Sequence, residues 1–394
     1  MVLAQVVCGV GSSVSYLYMA GIAVATFACA YLLIWPIDRF AQRHGLLVQP
    51  DDERRIHRQP TAQLGGIAMY IAFLFGLALT FLPLPCYSGW QGEDRAKVLL
   101  LIFGATIIFV VALLDDLRPL PALPRLLLQF IAAGIVILPY LFTGTSDPAS
   151  GLKLGSSGIL IDTINVPLFF QHLLNLPLAA PIAGGTATIV IPLILALPAT
   201  FVWVVGITNA LNWIDGMDGL AAGVTLISSL VLFLRTFGLG QEMLAFLPAV
   251  LGAAALGFLP HNWHPARIFM GDNGAMFLGY VLAVISFIGG AKLATALLVL
   301  GVPLIDMAWL IIYRIIRGGN PTRAGRSHLH HRLLDIGLSQ RQVALLFYGL
   351  CAGFGALGLL LPNSASKLAA LLLMGIVIGG FLVYIARREF DRRV

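Results

Sequence analysis

Leu99–Asp116 reads LLLIFGATIIFVVALLDD, sixteen residues without a charge and then two adjacent carboxylates. Apolar runs near 20 residues are long enough to cross a bilayer as a helix. Comparable runs recur from one end of the 394-residue chain to the other. Hydrophobic residues make up 59% of the chain and charged residues 11%, where a soluble domain carries about 25% charged. The expected fold is therefore all-α, a single polytopic membrane domain over residues 1–394 with about eleven transmembrane helices. The expected spans are roughly 14–36, 65–84, 97–114, 123–142, 188–208, 219–238, 243–260, 275–291, 294–316, 342–361 and 366–386. A β-barrel would show alternating ten-residue segments, and none dominate. A cleavable leader needs a basic start, whereas the first basic residue, Arg39, follows the first apolar run.

Basic residues crowd the cytoplasmic connections of membrane proteins. Eighteen of the 24 Lys and Arg fall on one side of the expected spans and six on the other. The first side reads as cytoplasmic, with the N-terminus outside and the C-terminus inside. The net charge of +6 then expresses topology and attraction to anionic headgroups, and no nucleic-acid partner is expected. Cys8, Cys29, Cys86 and Cys351 are scattered, with no CxxC pair, and read as small apolar packers. The long outer connection at 143–187 is rich in Gly, Pro and Ser and has room for a small hairpin.

Five polar clusters fall on the basic side: Arg54–Gly66, Asp115-Asp116, Asn209–Gly219, His261–Gly274 and Gly318–Gln342. Asp115-Asp116 closes an apolar run, where an acid opposes the helix dipole. Such a pair points to a cation or a moving proton, and a polar stop to the span explains it equally well. Asn209–Leu220 reads NALNWIDGMDGL. Asn209, Asn212, Asp215 and Asp218 recur at three-residue steps, which drift by about 60° each on a helix. With Gly216 and Gly219, this predicts a helix ending near Asn212 and a tight polar loop. Polar groups set against a hydrophobic segment mark function by default. In FMGDNG, Phe269–Gly274, Asp272 lies between glycines before a helix. It can cap that helix, the commoner role, or hold a metal against a phosphate at the helix start. GRSHLHHRL, Gly325–Leu333, places His328, His330 and His331 within four positions beside arginines. Such groups near acids give a diphosphate its charge compensation. Asp306, alone inside the ninth span, reads as a structural partner. No GxxxxGKS/T phosphate loop is present, which excludes a nucleotide-driven pump. The clusters suit transfer between a soluble phosphorylated donor and a lipid phosphate, with Mg²⁺ held by a few oxygens.

Pro60-Thr61 through Gly65-Gly66, Asp115-Asp116, NALNWIDGMDGL, FMGDNG and HLHHRL share order and spacing with one known family. Over nearly the whole chain, from about Arg54 to Gln342, it resembles the polyprenyl-phosphate N-acetylhexosamine-1-phosphate transferases. Those membrane enzymes move a sugar-1-phosphate from a UDP-sugar to a lipid phosphate such as undecaprenyl phosphate and release UMP. The resemblance implies that Asp115 and Asp116 activate or position the lipid phosphate. It implies Asp272 as the principal Mg²⁺ ligand, with Mn²⁺ as an alternative ion and Asn212 beside metal and diphosphate. It places Asp215, Asp218, Asn262 and Phe269 in the uridine and donor pocket, with Asn209 as a further substrate-binding candidate. His328, His330 and His331 fall near the diphosphate, and Arg58 where the family often has Lys or Arg. Many members read Pro-Thr-Pro-Arg before the glycine pair, where this chain reads Pro60-Thr61-Ala62-Gln63. Either Gln63 weakens a donor-phosphate contact, or another Arg of the 54–58 cluster replaces it.

HLHHRLLDIGLSQRQ resembles the N-acetylglucosamine branch, which starts linkage units of wall teichoic acid, O-antigen lipopolysaccharide or arabinogalactan. The expected reaction is transfer of N-acetylglucosamine-1-phosphate from UDP-N-acetylglucosamine to undecaprenyl phosphate, at the inner face of a bacterial plasma membrane. A homodimer is left open. One rival is a phospho-N-acetylmuramoyl-pentapeptide transferase. Another, from a different class, is a secondary transporter, whose site would lie near the bilayer midplane between inverted repeats. No repeat of fixed length is seen here.

Overall fold

The computed structural model describes residues 11–48, 60–82, 90, 92–143, 145–146, 153–154, 163–167, 180–182, 186–190, 193–288, 292–316, 318 and 328–391. Within that set, 11–15, 93, 138–190, 193 and 385–391 are described by backbone alone. The helices follow the apolar runs. They are α1 Gly11–Arg43, α2 Gly65–Leu79, α3 Gly92–Leu117, α4 Ala122–Thr143, α5 Leu193–Ile214, α6 Leu220–Gly238 and α7 Glu242–Asn262. After these come α8 Gly271–Ile285, α9 Leu293–Val299, α10 Gly301–Ile316, α11 Leu329–Asp335, α12 Gln340–Leu360 and α13 Ser364–Asp391.

Each of the eleven expected ranges overlaps a helix, but eleven spans are not confirmed. Among the described residues, seven helices are long and apolar enough to cross a membrane, or eight if α9 and α10 form one broken span. Helices α2 and α8, and the Ala122–Ile137 part of α4, are apolar but shorter. The expected single span at 294–316 is bent by 73° between α9 and α10. Gly301 opens α10 and Pro303 sits in its first turn, where a missing N–H breaks no intrahelical bond. The fold is also nearly all helical rather than strictly all-α. Strands β1 Leu47–Val48 and β2 Thr61–Ala62 pair antiparallel. The 143–187 region holds more than one hairpin. Strands β3 Thr145–Ser146 and β4 Lys153–Leu154 pair, and β5 Thr163–Pro167, β6 Ala180–Ile182 and β7 Thr186–Val190 form a sheet in the order β5-β7-β6. Their β-branched composition, TINVP and TATIV, favours strands over helix.

Helix α8 is the centre of the molecule, in contact with α2, α3, α5, α6 and α7. Tyr280 donates to Ala132 O at 2.9 Å, tying α8 to α4. Trp203 Nε1 donates to Ser286 Oγ at 2.9 Å, tying α5 to the residue after α8. Every residue of α8 is buried except Asp272. A carboxylate in an otherwise enclosed helix needs paired or solvated surroundings. It finds them at one end, where the polar clusters meet.

Candidate active site

The start of α8 is fixed from another helix. Its N-cap residue is Met270, which offers no capping side chain. Asp116, in the last turn of α3, supplies the cap instead. Its Oδ1 accepts from Asp272 N at 3.0 Å, and its Oδ2 accepts from Asn273 N at 2.9 Å. Asn273 Nδ2 adds a bond to Oδ2 at 2.6 Å, and Gln63 Nε2 one to Oδ1 at 3.1 Å. The carboxylate thus has four donors, two of them first-turn amides of the kind helix starts leave unpaired. Gln63 arrives on a segment stitched alongside 268–270: Phe269 N to Ala62 O at 2.8 Å, Gly65 N to Phe269 O at 3.0 Å and Gly66 N to Met270 O at 2.9 Å. The glycines make this approach possible. A Cβ on Gly66 would overlap Asn273 Oδ1 and the Gly274 backbone. Gly271 has φ +76°, and a Cβ there would meet Gln63 O at 2.6 Å. Asp272 is therefore not the cap that its flanking glycines predict. The cap comes from Asp116, and Asp272 is left with 34% of its side chain exposed.

Successive residues on a helix point about 100° apart, so Asp115 faces elsewhere than Asp116. Asp115 Oδ1 accepts from Leu120 N at 2.7 Å. Its Oδ2 pairs with Arg125 Nη1 at 2.6 Å. The same Nη1 lies 3.4 Å from Asp272 Oδ2. On its other side, Asp272 Oδ1 accepts from Asn212 Nδ2 at 2.9 Å. One guanidinium thus bridges the end of α3 to the start of α8, with an amide from α5 completing the set. Arg125 escaped the sequence argument, which counted it only as a basic residue of the cytoplasmic side. Asn273, His264 and Arg341 were not singled out either, because their contacts cross 46 or more residues of chain.

Helix α5 ends at Ile214, two residues beyond the expected end, and the polar turn follows. At Asp215, burial and the carboxylates of Asp272, Asp116 and Asp218 push the carboxyl well above the usual range. Over this turn lie the histidines. A Cβ on Gly216 would come within 2.8 Å of His330 Nε2 and 3.4 Å of His331 Nε2. The His330 and His331 rings are 4.2 Å apart, and those of His328 and His330 are 5.6 Å apart. Burial and its two histidine neighbours hold His330 well below the ordinary imidazole range, and so neutral. Both His330 ring nitrogens are buried without a hydrogen-bond partner among the described residues. Asp306 is the structural partner expected of it: it accepts from Leu329 N at 2.8 Å and lies 3.1 Å from His328 Nδ1.

The remaining expected residues divide. Asn209 Nδ2 donates to Gln129 Oε1 at 2.6 Å and Val205 O at 2.7 Å, clasping α5 to α4 away from Asp272. Asp218 is buried, with its Oδ2 2.7 Å from His264 Nδ1 and 3.1 Å from Ala266 N. Asn262, also buried, accepts from Gly219 N and donates to Ile268 O, both at 2.9 Å. These two hold the Asp215–Gly219 turn against the 263–268 loop, which Arg341 also grips through His264 O at 2.8 and 3.0 Å. Phe269 is half-buried, on the segment leading into α8. Arg58 lies outside the described residues.

Among the described residues, no three His, Cys, Asp or Glu side chains converge to hold an ion by themselves. Mg²⁺ usually asks for less, one or two carboxylates with water and substrate phosphates completing the octahedron. Asp272, part-exposed and held between Asn212 and Arg125, fits that kind of shared ion.

The profile of glycosyl transferase family 4 matches residues 98–290. A decaprenyl-phosphate N-acetylglucosaminephosphotransferase of Mycobacterium tuberculosis is 32% identical over 413 residues, covering 97% of this chain and 92% of that protein. The chain belongs to glycosyl transferase family 4. Within the family it is also similar to a Bacillus subtilis protein named probable undecaprenyl-phosphate N-acetylglucosaminyl 1-phosphate transferase. That match is 33% identical and covers 80% of this chain and 78% of the other. A phospho-N-acetylmuramoyl-pentapeptide-transferase of Brachyspira hyodysenteriae is more distant, at 28% over 83% and 88%. Membership makes the chain a membrane-embedded transferase.

Proposed function

We propose that the chain transfers N-acetylglucosamine-1-phosphate from UDP-N-acetylglucosamine to a polyprenyl phosphate such as undecaprenyl phosphate and releases UMP. A lipid-phosphate oxygen attacks the sugar-bearing β-phosphorus. That P–O bond forms as the bond from the β-phosphorus to the bridging oxygen breaks, and UMP leaves with the bridging oxygen. One pyrophosphate replaces another, so no further energy source is needed. The observation that carries this reading is Asp272 at the start of α8, its carboxylate held between Asn212 Nδ2 at 2.9 Å and Arg125 Nη1 at 3.4 Å. Over the adjoining Asp215–Gly219 turn, the His330 ring nitrogens have no hydrogen-bond partner among the described residues, as a phosphate-binding surface would.

Asp272 and Asp215, with Asn212, are the residues that would hold Mg²⁺, or Mn²⁺ in its place. When bound, that ion supplies charge neutralisation on the diphosphate. Arg125 offers a guanidinium fork for a phosphate, and Asp115, released from Arg125, could take the lipid-phosphate proton. His330 and His331 face the diphosphate. Asp116 acts through α8 by fixing where Asp272 sits. Asp218, Asn262 and Asn209 hold the walls. The site then opens on the cytoplasmic face of a bacterial inner membrane, as the distribution of basic residues favours, at the first membrane step of a surface polymer. N-acetylglucosamine is preferred to N-acetylmuramoyl-pentapeptide because the relatives that are more similar carry the former in their names.

The test is UMP release by purified protein with undecaprenyl phosphate and either donor. Turnover with UDP-N-acetylmuramoyl-pentapeptide alone would overturn the donor assignment. Asp272→Ala should lose several kcal/mol of barrier lowering, on the order expected for losing a charge-neutralising ion. Because Asp116 supplies the α8 cap, the variant should keep its fold. A well-folded Asp272→Ala protein with near-normal turnover would refute the metal role.

A further inference from the structure

We infer that the end of α1 is a binding site for the headgroup of an anionic phospholipid, separate from the transferase site and mechanically joined to it. Trp35, Pro36, Arg39, Phe40, Arg43 and His44 line a cavity of about 410 Å³, within the size range of small-molecule sites. Arg39 and Arg43 are one turn apart and exposed, and among the described residues neither is paired with a carboxylate. The adjacent Arg267 differs. Its Nε lies 3.2 Å from Asp38 Oδ2, and its guanidinium stacks over Trp35 at 4.0 Å. One cation is thus neutralised and fixes the aromatic wall, while two are left for an outside anion. Guanidinium forks match phosphate oxygens bidentately.

A basic helix end would by itself need only the helix dipole as explanation. The dipole gives no reason for the large aromatics interleaved with these bases. Trp35 and Phe40 are 40% and 52% exposed, and Trp and Tyr characteristically sit at headgroup depth. The His44 ring is set beside Phe40, with Nδ1 2.9 Å from Phe40 O and ring centroids 4.1 Å apart. A ledge of rings beneath two free guanidiniums complements a phosphate with acyl chains below it. A zwitterionic headgroup would bring an ammonium into the same cationic pocket.

The pocket connects to α8 by backbone hydrogen bonds. Leu46 N donates to Ala41 O at 2.9 Å. Leu47 then pairs with Ala62 across β1 and β2. Ala62 O accepts from Phe269 N at 2.8 Å, and Met270 O accepts from Gly66 N at 2.9 Å. The next residues are Gly271 and Asp272. A lipid that holds the end of α1 therefore steadies the segment that aims Asp272.

The experiment uses full-length protein in vesicles of phosphatidylcholine alone, or with one third phosphatidylglycerol. Bound labelled phosphatidylglycerol is measured against labelled phosphatidylcholine. Wild type should prefer the anionic lipid, and Arg39→Gln/Arg43→Gln should lose about 30-fold of that preference, at roughly fivefold per basic residue near an anionic surface. Wild-type turnover should rise with phosphatidylglycerol and that of the variant should not. Equal affinity for both lipids, or full preference in the variant, would overturn the site. Displacement of the lipid by inorganic phosphate would make it a soluble-anion site and overturn the lipid assignment. The binding arm does not depend on which reaction the enzyme performs. If the Gln variant fails to fold, Phe40→Ala, which leaves both charges, should still weaken lipid binding by removing the ledge. Unchanged binding there would count against the proposal.

Discussion

Replacing Asp116 by Asn tests the clasp on α8. The carboxylate accepts four hydrogen bonds: Asp272 N, Asn273 N, Asn273 Nδ2 and Gln63 Nε2. The amide keeps one acceptor oxygen. If that oxygen stays with Asp272 N and Gln63, the new NH₂ faces Asn273 N and Nδ2, two donors that contacted the carboxylate at 2.9 and 2.6 Å. Hydrogen bonds to a charged group contribute about 1.5–3 kcal/mol each. Two lost bonds would thus cost about 3–6 kcal/mol, and the half-buried setting reduces this to about 2–4. At about 2 °C per kcal/mol for a large chain, the melting point in detergent should fall by roughly 4–8 °C. Asp272 would lose its backbone anchor, and an error near 1 Å in a catalytic group costs on the order of 100-fold in kcat. The kcat defect should be flat with pH, since no proton transfer is removed. Asp115→Asn is the control. It gives up one charged pair, with the part-exposed Arg125, and keeps an oxygen for Leu120 N, so its melting point should fall less than that of Asp116→Asn. If Asp115 is the base, its defect should shrink from about pH 6 to about pH 9, as the lipid phosphate, with a second pKa near 6, ionises unaided. An Asp116→Asn protein that melts with wild type would refute the clasp. A defect at position 116 that shrinks with rising pH would move the base role there.

Asp215 holds its proton to higher pH when folded than when unfolded. Its contribution is therefore fully present below about pH 4 and lost as the pH rises through the native value. Asp215→Asn should melt above wild type near pH 8 without divalent cations, and the gap should close as the pH falls; a variant less stable at every pH contradicts this. His330 titrates in the opposite sense. Its native value lies below the ordinary 6.5, so wild type loses stability as the pH drops under about 6.5 while the unfolded chain takes up a proton. His330→Gln should flatten the melting curve between about pH 7 and pH 5, and an unchanged slope would show that the site is not buried as described. For topology, Ile336, exposed just after α11, is a better probe than the buried His328. Ile336→Cys should resist an impermeant thiol reagent in intact cells, and ready labelling would reverse the orientation.

Much of the architecture could be read in advance, because apolar run length is a local property. Where the structure departs from that reading, length and geometry explain why. Helices α2 and α8, in ranges expected to be spans, are apolar but shorter than the other spanning helices. The bend between α9 and α10 turns on Gly301 and Pro303, which a hydropathy run passes over. The site clusters were visible as polar islands, and Asp306 was rightly read as a structural partner. Roles within the islands were not visible. Asp115 and Asp116 are neighbours in sequence, yet one faces Arg125 and the other faces α8. The family resemblance places Asp218 and Asn262 in the donor pocket and makes Asn209 a substrate-binding candidate, while their hydrogen bonds in the structure tie walls together. Gln63 was read as weakening a donor-phosphate contact or as replaced there by another Arg of the 54–58 cluster, and neither reading foresaw that its amide meets Asp116, 53 residues away.

A rule for reading such sites comes from what the motifs lack. A helix start buried in a membrane protein cannot leave its amides to water, and each unsatisfied group there costs several kcal/mol. FMGDNG brings Met270 to the cap position and HLHHRL brings His328, and neither side chain caps its own helix. The donors must then be met from elsewhere, and in both cases a distant carboxylate does it, Asp116 for α8 and Asp306 for α11. Asp218 does the same for the Ala266 amide. The arrangement has a consequence for chemistry. A local cap would spend the residue nearest the helix start on its own backbone. Capping from another helix leaves Asp272 and His330, one residue inside their helices, turned toward the site, and each is held only as firmly as its distant acid. Exchanging those acids should therefore disturb catalysis through position, and a local Ser at 270 should not restore it, because it would free Asp116 without returning the α3–α8 contact that sets where Asp272 points.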